Sequence, residues 1–304
     1  MTDLTTKIKN LELDTLSNVR TSKSKNTIRA YNSDFSDFKS FCAIHGQRSM
    51  PTNPKTLSLY ITHLAKTSKF STLKRRIASI SVVHKLSGHY LDVKHPLISE
   101  NLLGIKRKIG TFQKSKKPIL INHLKNIIEV ISKETKPNIK LKNKALILIG
   151  FAGGFRRSEL VSIQYEDVEF VPEGVKIFVS RSKTDQSGEG MIKAIPYFEN
   201  ISFCPVISLK NWINHNKIKD GAIFKMSDKN VSLVIKKYAK LAGLDPSKYS
   251  GHSLRSGFAT STAEFGAEER SIMAMTGHKT TQMVRRYIRE ANIFKNNALN
   301  KIKI

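Results

Sequence analysis

The stretch from Asn101 to Lys117, NLLGIKRKIGTFQKSKK, holds six Lys or Arg residues and no acid, and it stops at Pro118. A run so charged repels itself and offers few apolar anchors, and the polar stretch that ends it cannot bury much surface. The chain must organise on either side of it, and 304 residues leave length for two domains of ordinary size. The expected division is a first domain over 1–108, a basic linker over 109–118, a second domain over 119–290 and a terminal helix over 291–304. Alone, the linker would be extended. A phosphate backbone would order it, and a merely solvated loop fits the same composition.

Both halves are basic. Residues 1–117 hold 22 basic and 7 acidic side chains, residues 118–304 hold 30 and 17, and the formal charge is +28. That excess points to a polyanionic partner and away from acidic small-molecule substrates, although a preference for Lys, 38 against 14 Arg, inflates it. Cys42 and Cys204 stand far apart, with neither a disulfide framework nor metal-ligand spacing, so a reducing compartment and no metal are expected. The longest apolar run, Ala145–Phe155, is broken by glycines and falls short of the roughly 20 residues that span a bilayer. With Asp3 and Glu12 among polar residues, the N-terminal segment carries no apolar signal sequence, and a cytoplasmic protein without membrane partners is expected.

Periodicity assigns helices to the first half. Ile28, Tyr31, Phe35, Phe38 and Cys42 recur at steps of three and four, predicting one buried face on a helix from about Asn26 to Gly46. Leu73, Ile77 and Ile80 predict a second such face, which sends Lys74, Arg75 and Arg76 to other faces, free for phosphate. Further helices are expected near Lys55–Thr67 and Leu97–Lys108, broken around Pro51, Pro54 and Pro96. The second half reads as mixed. Helices over Leu120–Ser132 and Leu141–Phe151 precede a β-hairpin of Val175–Ser180 and Ile192–Tyr197, joined by a turn within SKTDQSGEG. Helices then resume, with Trp212 at core spacing from Val206, Leu209 and Ile213. The predicted class is mainly α with a small β-region.

Four segments of the second half carry chemistry suited to a phosphodiester. GGFRRSEL sets Arg156 and Arg157 after two glycines, where a planar guanidinium fork could meet two phosphate oxygens or simply pair with Glu159 at helical spacing. Lys183 lies in the hairpin turn, where a flexible stem can reach a leaving oxygen and where many lysines are only solvated. GHSLRSGFAT puts His252 and Arg255 on one helical face, and GHKTTQMVRRYIR places Tyr287 nine residues after His278.

In this order the segments resemble the tyrosine recombinase (phage integrase) family, and NTIRAYNSDF with HPLISENLLGIKRK resembles that family's helical core-binding domain. The resemblance implies a two-domain, Cre-like or Xer-like clamp on double-stranded DNA, with Arg156, Lys183, His252, Arg255, His278 and Tyr287 as catalytic residues. It further implies site-specific recombination through a 3′-phosphotyrosine, by a homotetramer on two DNA sites, without metal, ATP or other cofactor. Arg156 and Arg255 would hold the non-bridging oxygens, Tyr287 would attack, His252 would take its proton, and Lys183 would protonate the departing 5′ oxygen. His278 would donate to the phosphate or position Tyr287, and Arg157 would face DNA or solvent. A type IB topoisomerase and a catalytically silent DNA-binding regulator are the alternatives. The expected backbone contacts are Lys74, Arg75, Arg76, Lys106, Arg107, Lys108, Lys114, Lys116 and Lys117. Phe294, Ala298 and Lys301 or Ile302 form a short stripe after Tyr287, expected to dock on a neighbouring protomer.

Overall fold

The computed structural model describes residues 22–112, 115–180, 190–291 and 298–302, together with Ile8, Leu11, Asp14, Thr15 and Asn18. The chain divides into two compact units, Met1–Lys114 and Ser115–Ile304.

The first unit contains helices α1 (Lys25–Ile44), α2 (Pro54–Ala65), α3 (Phe70–Leu86) and α4 (Pro96–Ile109). Local chemistry starts them where the sequence says. The Ser24 side chain accepts from Thr27 N–H, Asn53 accepts from Thr56 N–H, and Pro54 and Pro96 occupy first-turn positions that need no amide donor. The predicted faces meet in a core of Phe38, Cys42, Leu57, Tyr60, Ile61, Leu73 and Ile80.

The structure differs at Arg76. Asp34 is 2% exposed on the packed face of α1, where it accepts from Ser79 Oγ at 2.7 Å and pairs with Arg75. Asp37, one turn on, takes Arg76, which also donates to the Tyr60 hydroxyl. The Asp34 carboxylate, removed from water, requires such partners, and Arg76 Nε also lies 3.7 Å from it, so Arg76 turns inward while Lys74 stays exposed with its ammonium 5.7 Å from the Phe70 ring. Arg75 keeps a half-exposed side chain. Lys106, Arg107 and Lys108 are exposed in the last turn of α4, where cations oppose the negative end of the helix dipole.

The second unit runs α5 (Ile121–Ser132), α6 (Pro137–Ala152), α7 (Arg157–Ser162), β1 (Val168–Val171), β2 (Gly174–Val179), β3 (Met191–Pro196), α8 (Pro205–His215), α9 (Asp228–Leu241), α10 (His252–Glu264), α11 (Glu269–Thr276) and α12 (Thr281–Ala291). The antiparallel sheet has order β1-β2-β3 and pairs Ile177 with Lys193 and Val175 with Ile195. Strand β1 escaped the sequence reading because four residues are too few for an alternating pattern to stand out. Helix α6 starts four residues before the expected Leu141, at Pro137. From Ala145 to Ala152 every residue of α6 is buried, so its amphipathic period vanishes and it forms the centre of the core. Trp212 is buried as expected and donates from Nε1 to Ile223 O at 3.0 Å.

The end of the basic stretch belongs to this unit. Lys117 N–H donates to Lys248 O at 2.8 Å, Ile119 N–H donates to Ser253 O at 2.9 Å, and the Lys116 ammonium reaches Ser247 O. Lys114, Lys183 and Phe294 lie outside the described residues, and Ala298–Lys301 forms a 3₁₀ turn. No helix among the described residues is long and apolar enough to cross a membrane.

Helix α10 lies against the segment entering α5 so closely that a Cβ on Gly257 would stand 2.0 Å from Ile119 O. Exchanging Gly for Ala within a helix ordinarily gains up to about 1 kcal/mol. Here the gain is overridden by backbone displacement, and Gly257→Ala should lower unfolding stability by about 2–3 kcal/mol in chemical denaturation. An unchanged or raised midpoint would contradict the close approach.

Candidate active site

Three chain reversals in the second unit bring distant residues to one place. The first follows α6. Gly154 adopts φ +55°, in the left-handed region that a side chain resists, and this turn aims both its carbonyl and Arg156 toward α10. Arg156 is the N-cap of α7. Its amide donates to Glu159 Oε2 at 2.9 Å and its guanidinium to Oε1 at 2.5 Å. The pairing was legible in the sequence, but its burial was not: Glu159 is 3% exposed.

The second reversal opens α10. His252 occupies the first turn and Arg255 follows one turn later, 1% exposed. Arg255 donates from Nη1 to Gly154 O at 2.9 Å and from Nη2 to His278 Nε2 at 3.0 Å. Burial, followed by repulsion from Arg156, lowers its pKa to about 10, so the group remains a cation at neutral pH.

The third reversal ends α11. Gly277 takes φ +63° and returns its N–H to Met273 O, which turns the 6%-exposed His278 back toward Arg255. Its Nδ1 lies 2.7 Å from the Thr276 hydroxyl. Helix α12 then packs on α10 and α11 through Ala259, Ala263, Ile272 and Val284. That contact delivers Tyr287, whose hydroxyl is 3.1 Å from His252 Nε2 and whose ring centroid is 6.1 Å from that of His278.

Five of the six residues singled out in the sequence, Arg156, His252, Arg255, His278 and Tyr287, therefore converge. Lys183 lies outside the described residues. Arg157 does not join them. It is partly exposed, donates to Ser232 Oγ at 3.2 Å and sits 3.6 Å from Asp228. No group of three or more His, Cys, Asp or Glu among the described residues is placed to hold a metal ion.

Lys193 is a site neighbour that the sequence reading missed. It is fully buried on β3, donates to Gly153 O at 2.7 Å and to Met275 O, and lies 4.7 Å over the Phe155 ring. It thus joins the turn before Arg156 to the end of the helix before His278. Its one sequence signal is a Lys at an inward register of a strand otherwise apolar on that face. Desolvation lowers its pKa to about 7, partly offset by Glu159.

The pocket is electropositive and partly dry, and both histidines respond. Desolvation, then the charges of Arg255, Arg156 and Arg286, pushes His252 below its ordinary value. Burial, then Arg255 and Arg156, pulls His278 down to about 4 from 6.5. Both rings are neutral at pH 7. For His278 the unfolded chain binds the proton more tightly, so its contribution to stability is complete above pH 6.5 and is lost as the pH falls toward 4. The loss should be about 3 kcal/mol. Denaturation at pH 7 and pH 4.5 checks this against His278→Gln, which should show the smaller fall between the two.

Residues 120–292 match the phage integrase family, and residues 13–87 match the phage integrase N-terminal SAM-like domain. An integrase/recombinase xerD homolog of Selenomonas ruminantium is 44% identical over 92% of this chain and 86% of its own. The tyrosine recombinase XerD of Rickettsia bellii is 27% identical over 86% and 88%. Among solved structures, the fold resembles the Tn1549 transposon integrase in complex with transposon right end DNA (TM-score 0.66, 15% identity, 93% of this chain and 97% of that one). It also resembles the XerH site-specific recombinase bound to difH substrate in a post-cleavage complex (TM-score 0.61, 16% identity, 82% and 74%). With one family match covering more than half of its length and a 44%-identical relative along most of it, the chain belongs to the phage integrase family of tyrosine recombinases.

Proposed function

We propose that this chain is a site-specific DNA recombinase that cleaves and rejoins duplex DNA through a 3′-phosphotyrosine. The observation that carries the reading is the approach of the Tyr287 hydroxyl to His252 Nε2, 3.1 Å apart, beside two guanidinium groups. A phenol with an ordinary pKa near 10 is a weak nucleophile at neutral pH, and a neutral imidazole within hydrogen-bond distance can remove its proton as it attacks. The Tyr287 Oη–P bond forms as the P–O5′ bond breaks. The Tyr287 proton passes to His252, and the leaving 5′ oxygen takes one from Lys183. One phosphate ester replaces another, so the reverse reaction needs only a 5′ hydroxyl and no ATP. Strand exchange results when that hydroxyl belongs to a second duplex. The kinship with named recombinases supports this outcome over relaxation of a single duplex or silent DNA binding.

Arg156 and Arg255 would meet the non-bridging oxygens, where charge grows as the fifth oxygen adds, and so favour the transition state over the bound substrate. Glu159 would hold Arg156 in orientation. The exposed Lys74, Lys106, Arg107, Lys108, Lys116 and Lys117 suit the DNA backbone, as do the half-exposed Arg75 and the unassigned Lys114. Assembly as a tetramer on two sites, in the cytoplasm where such DNA lies, completes the reading. An apolar cavity bordered by Ile121, Phe151, Phe258, Phe265 and Met275 offers a seat for the 291–304 segment of a neighbouring copy.

Tyr287→Phe removes only the phenolic oxygen, so DNA affinity should stay within about twofold while covalent adduct disappears from a nicked suicide substrate. Denaturing electrophoresis with peptide mapping checks this, and an adduct on another residue would overturn it. Lys183→Ala should slow cleavage of an ordinary phosphodiester by roughly 10²-fold or more and be largely rescued by sulfur at the 5′-bridging position, a leaving group that needs no proton. Equal defects on both substrates would remove Lys183 from the leaving-group step.

A further inference from the structure

The hydrogen bonds around His278 leave one consistent arrangement of protons. A guanidinium has five N–H donors and no acceptor, so the nitrogen 3.0 Å from Arg255 Nη2 must accept. That nitrogen is Nε2. In a neutral ring the proton then resides on Nδ1, which faces the Thr276 hydroxyl at 2.7 Å. Thr276 has a single hydroxyl hydrogen, and Ile272 O stands 2.6 Å away to take it. The hydroxyl oxygen is left to accept from Nδ1–H. The chain runs Arg255 Nη2–H to His278 Nε2, His278 Nδ1–H to Thr276 Oγ1, and Thr276 Oγ1–H to Ile272 O. Reversing any link sets a donor against a donor at Arg255 or leaves a buried group unmatched.

From this geometry we infer that Thr276 is a positioning residue that fixes His278 in its Nδ1–H tautomer, making His278 the acceptor that orients Arg255. Its surroundings give the chain force. Thr276 is fully buried, Arg255 is 1% exposed and His278 6%, so water cannot replace a lost partner. Gly154 O accepts from Nη1 of the same guanidinium, so the two contacts fix the guanidinium plane before any phosphate arrives. A second proton on the ring would confront Arg255 with another N–H, in keeping with a pKa of about 4. In this arrangement Nε2 has no proton to give the phosphate. Before DNA binds, His278 acts through Arg255, a role that the sequence did not suggest.

The inference rests on the catalytic reading of Arg255, and a spectroscopic readout keeps the two separable. Two-bond proton–nitrogen correlation on the ¹⁵N-histidine-labelled full chain without DNA, at pH 7, distinguishes the tautomers, with His278→Gln identifying the resonance. The wild type should show the proton on Nδ1, and a proton on Nε2 would overturn the inference whatever the activity. Thr276→Val, similar in shape but without the hydroxyl, should shift population toward the Nε2–H form. It should also slow single-turnover cleavage by about tenfold, the equivalent of one hydrogen bond, at unchanged DNA affinity. Thr276→Ser restores the acceptor and should return both tautomer and rate. Valine and serine variants that cleave alike would also overturn the inference. If Tyr287→Phe still forms adduct while the wild-type tautomer is Nδ1–H, the catalytic reading fails and the tautomer assignment stands.

Discussion

A guanidinium that is 1% exposed sets the terms for the second unit. Burying Arg255 without partners would cost several kcal/mol, and an arginine cannot escape by shedding its proton at neutral pH. Its N–H groups must meet acceptors supplied by the fold. One is Gly154 O, in a turn 101 residues earlier, and another is His278 Nε2, 23 residues later. Each acceptor needs its own backbone device, a left-handed glycine in both cases, and each device delivers a residue of the candidate site. The Gly154 turn brings Arg156, and the Gly277 turn brings His278.

Around that cation the structure repeats one solution: charged groups are buried in pairs or chains. Lys193 bridges two carbonyls and lies over an aromatic ring, and Glu159 takes both the amide and the guanidinium of Arg156. In the first unit, Asp34 does the same with Ser79 and Arg75. Such networks hold a site in one geometry, since loosening one member exposes the next to an unmet desolvation cost. They suit a reaction whose catalysis lies in positioning charge about a phosphate before it arrives.

The electrostatics follow from crowding. Among the described residues, Arg156, Arg255 and Lys193 crowd around the Glu159 carboxylate, and the histidines give way by staying neutral. In the proposed mechanism neutrality would let His252 serve as a base toward Tyr287, and it lets His278 accept from Arg255 rather than repel it. One field thus supports two unlike roles for two histidines, and hydrogen-bond partners decide which is which.

Residue type and spacing determined much by themselves. The three- and four-residue recurrence of Ile28 to Cys42 and of Leu73 to Ile80 specified helices and their buried faces, because helical geometry is local. The order Arg156, Lys183, His252, Arg255, His278, Tyr287 pointed to the family before any coordinate, because the segments that carry these residues resemble that family's motifs. Strand β1 was too short to carry a pattern, and the all-round burial of α6 erased its period. Tertiary structure alone decided that Arg76 turns inward, that Lys193 ties two site loops together, and that Thr276 meets His278 while Arg255 meets the other ring nitrogen. Those outcomes depend on contacts between groups as many as 82 residues apart. Hydrogen-bond direction depends on which donor ends opposite which acceptor, and no pattern along a single chain records that.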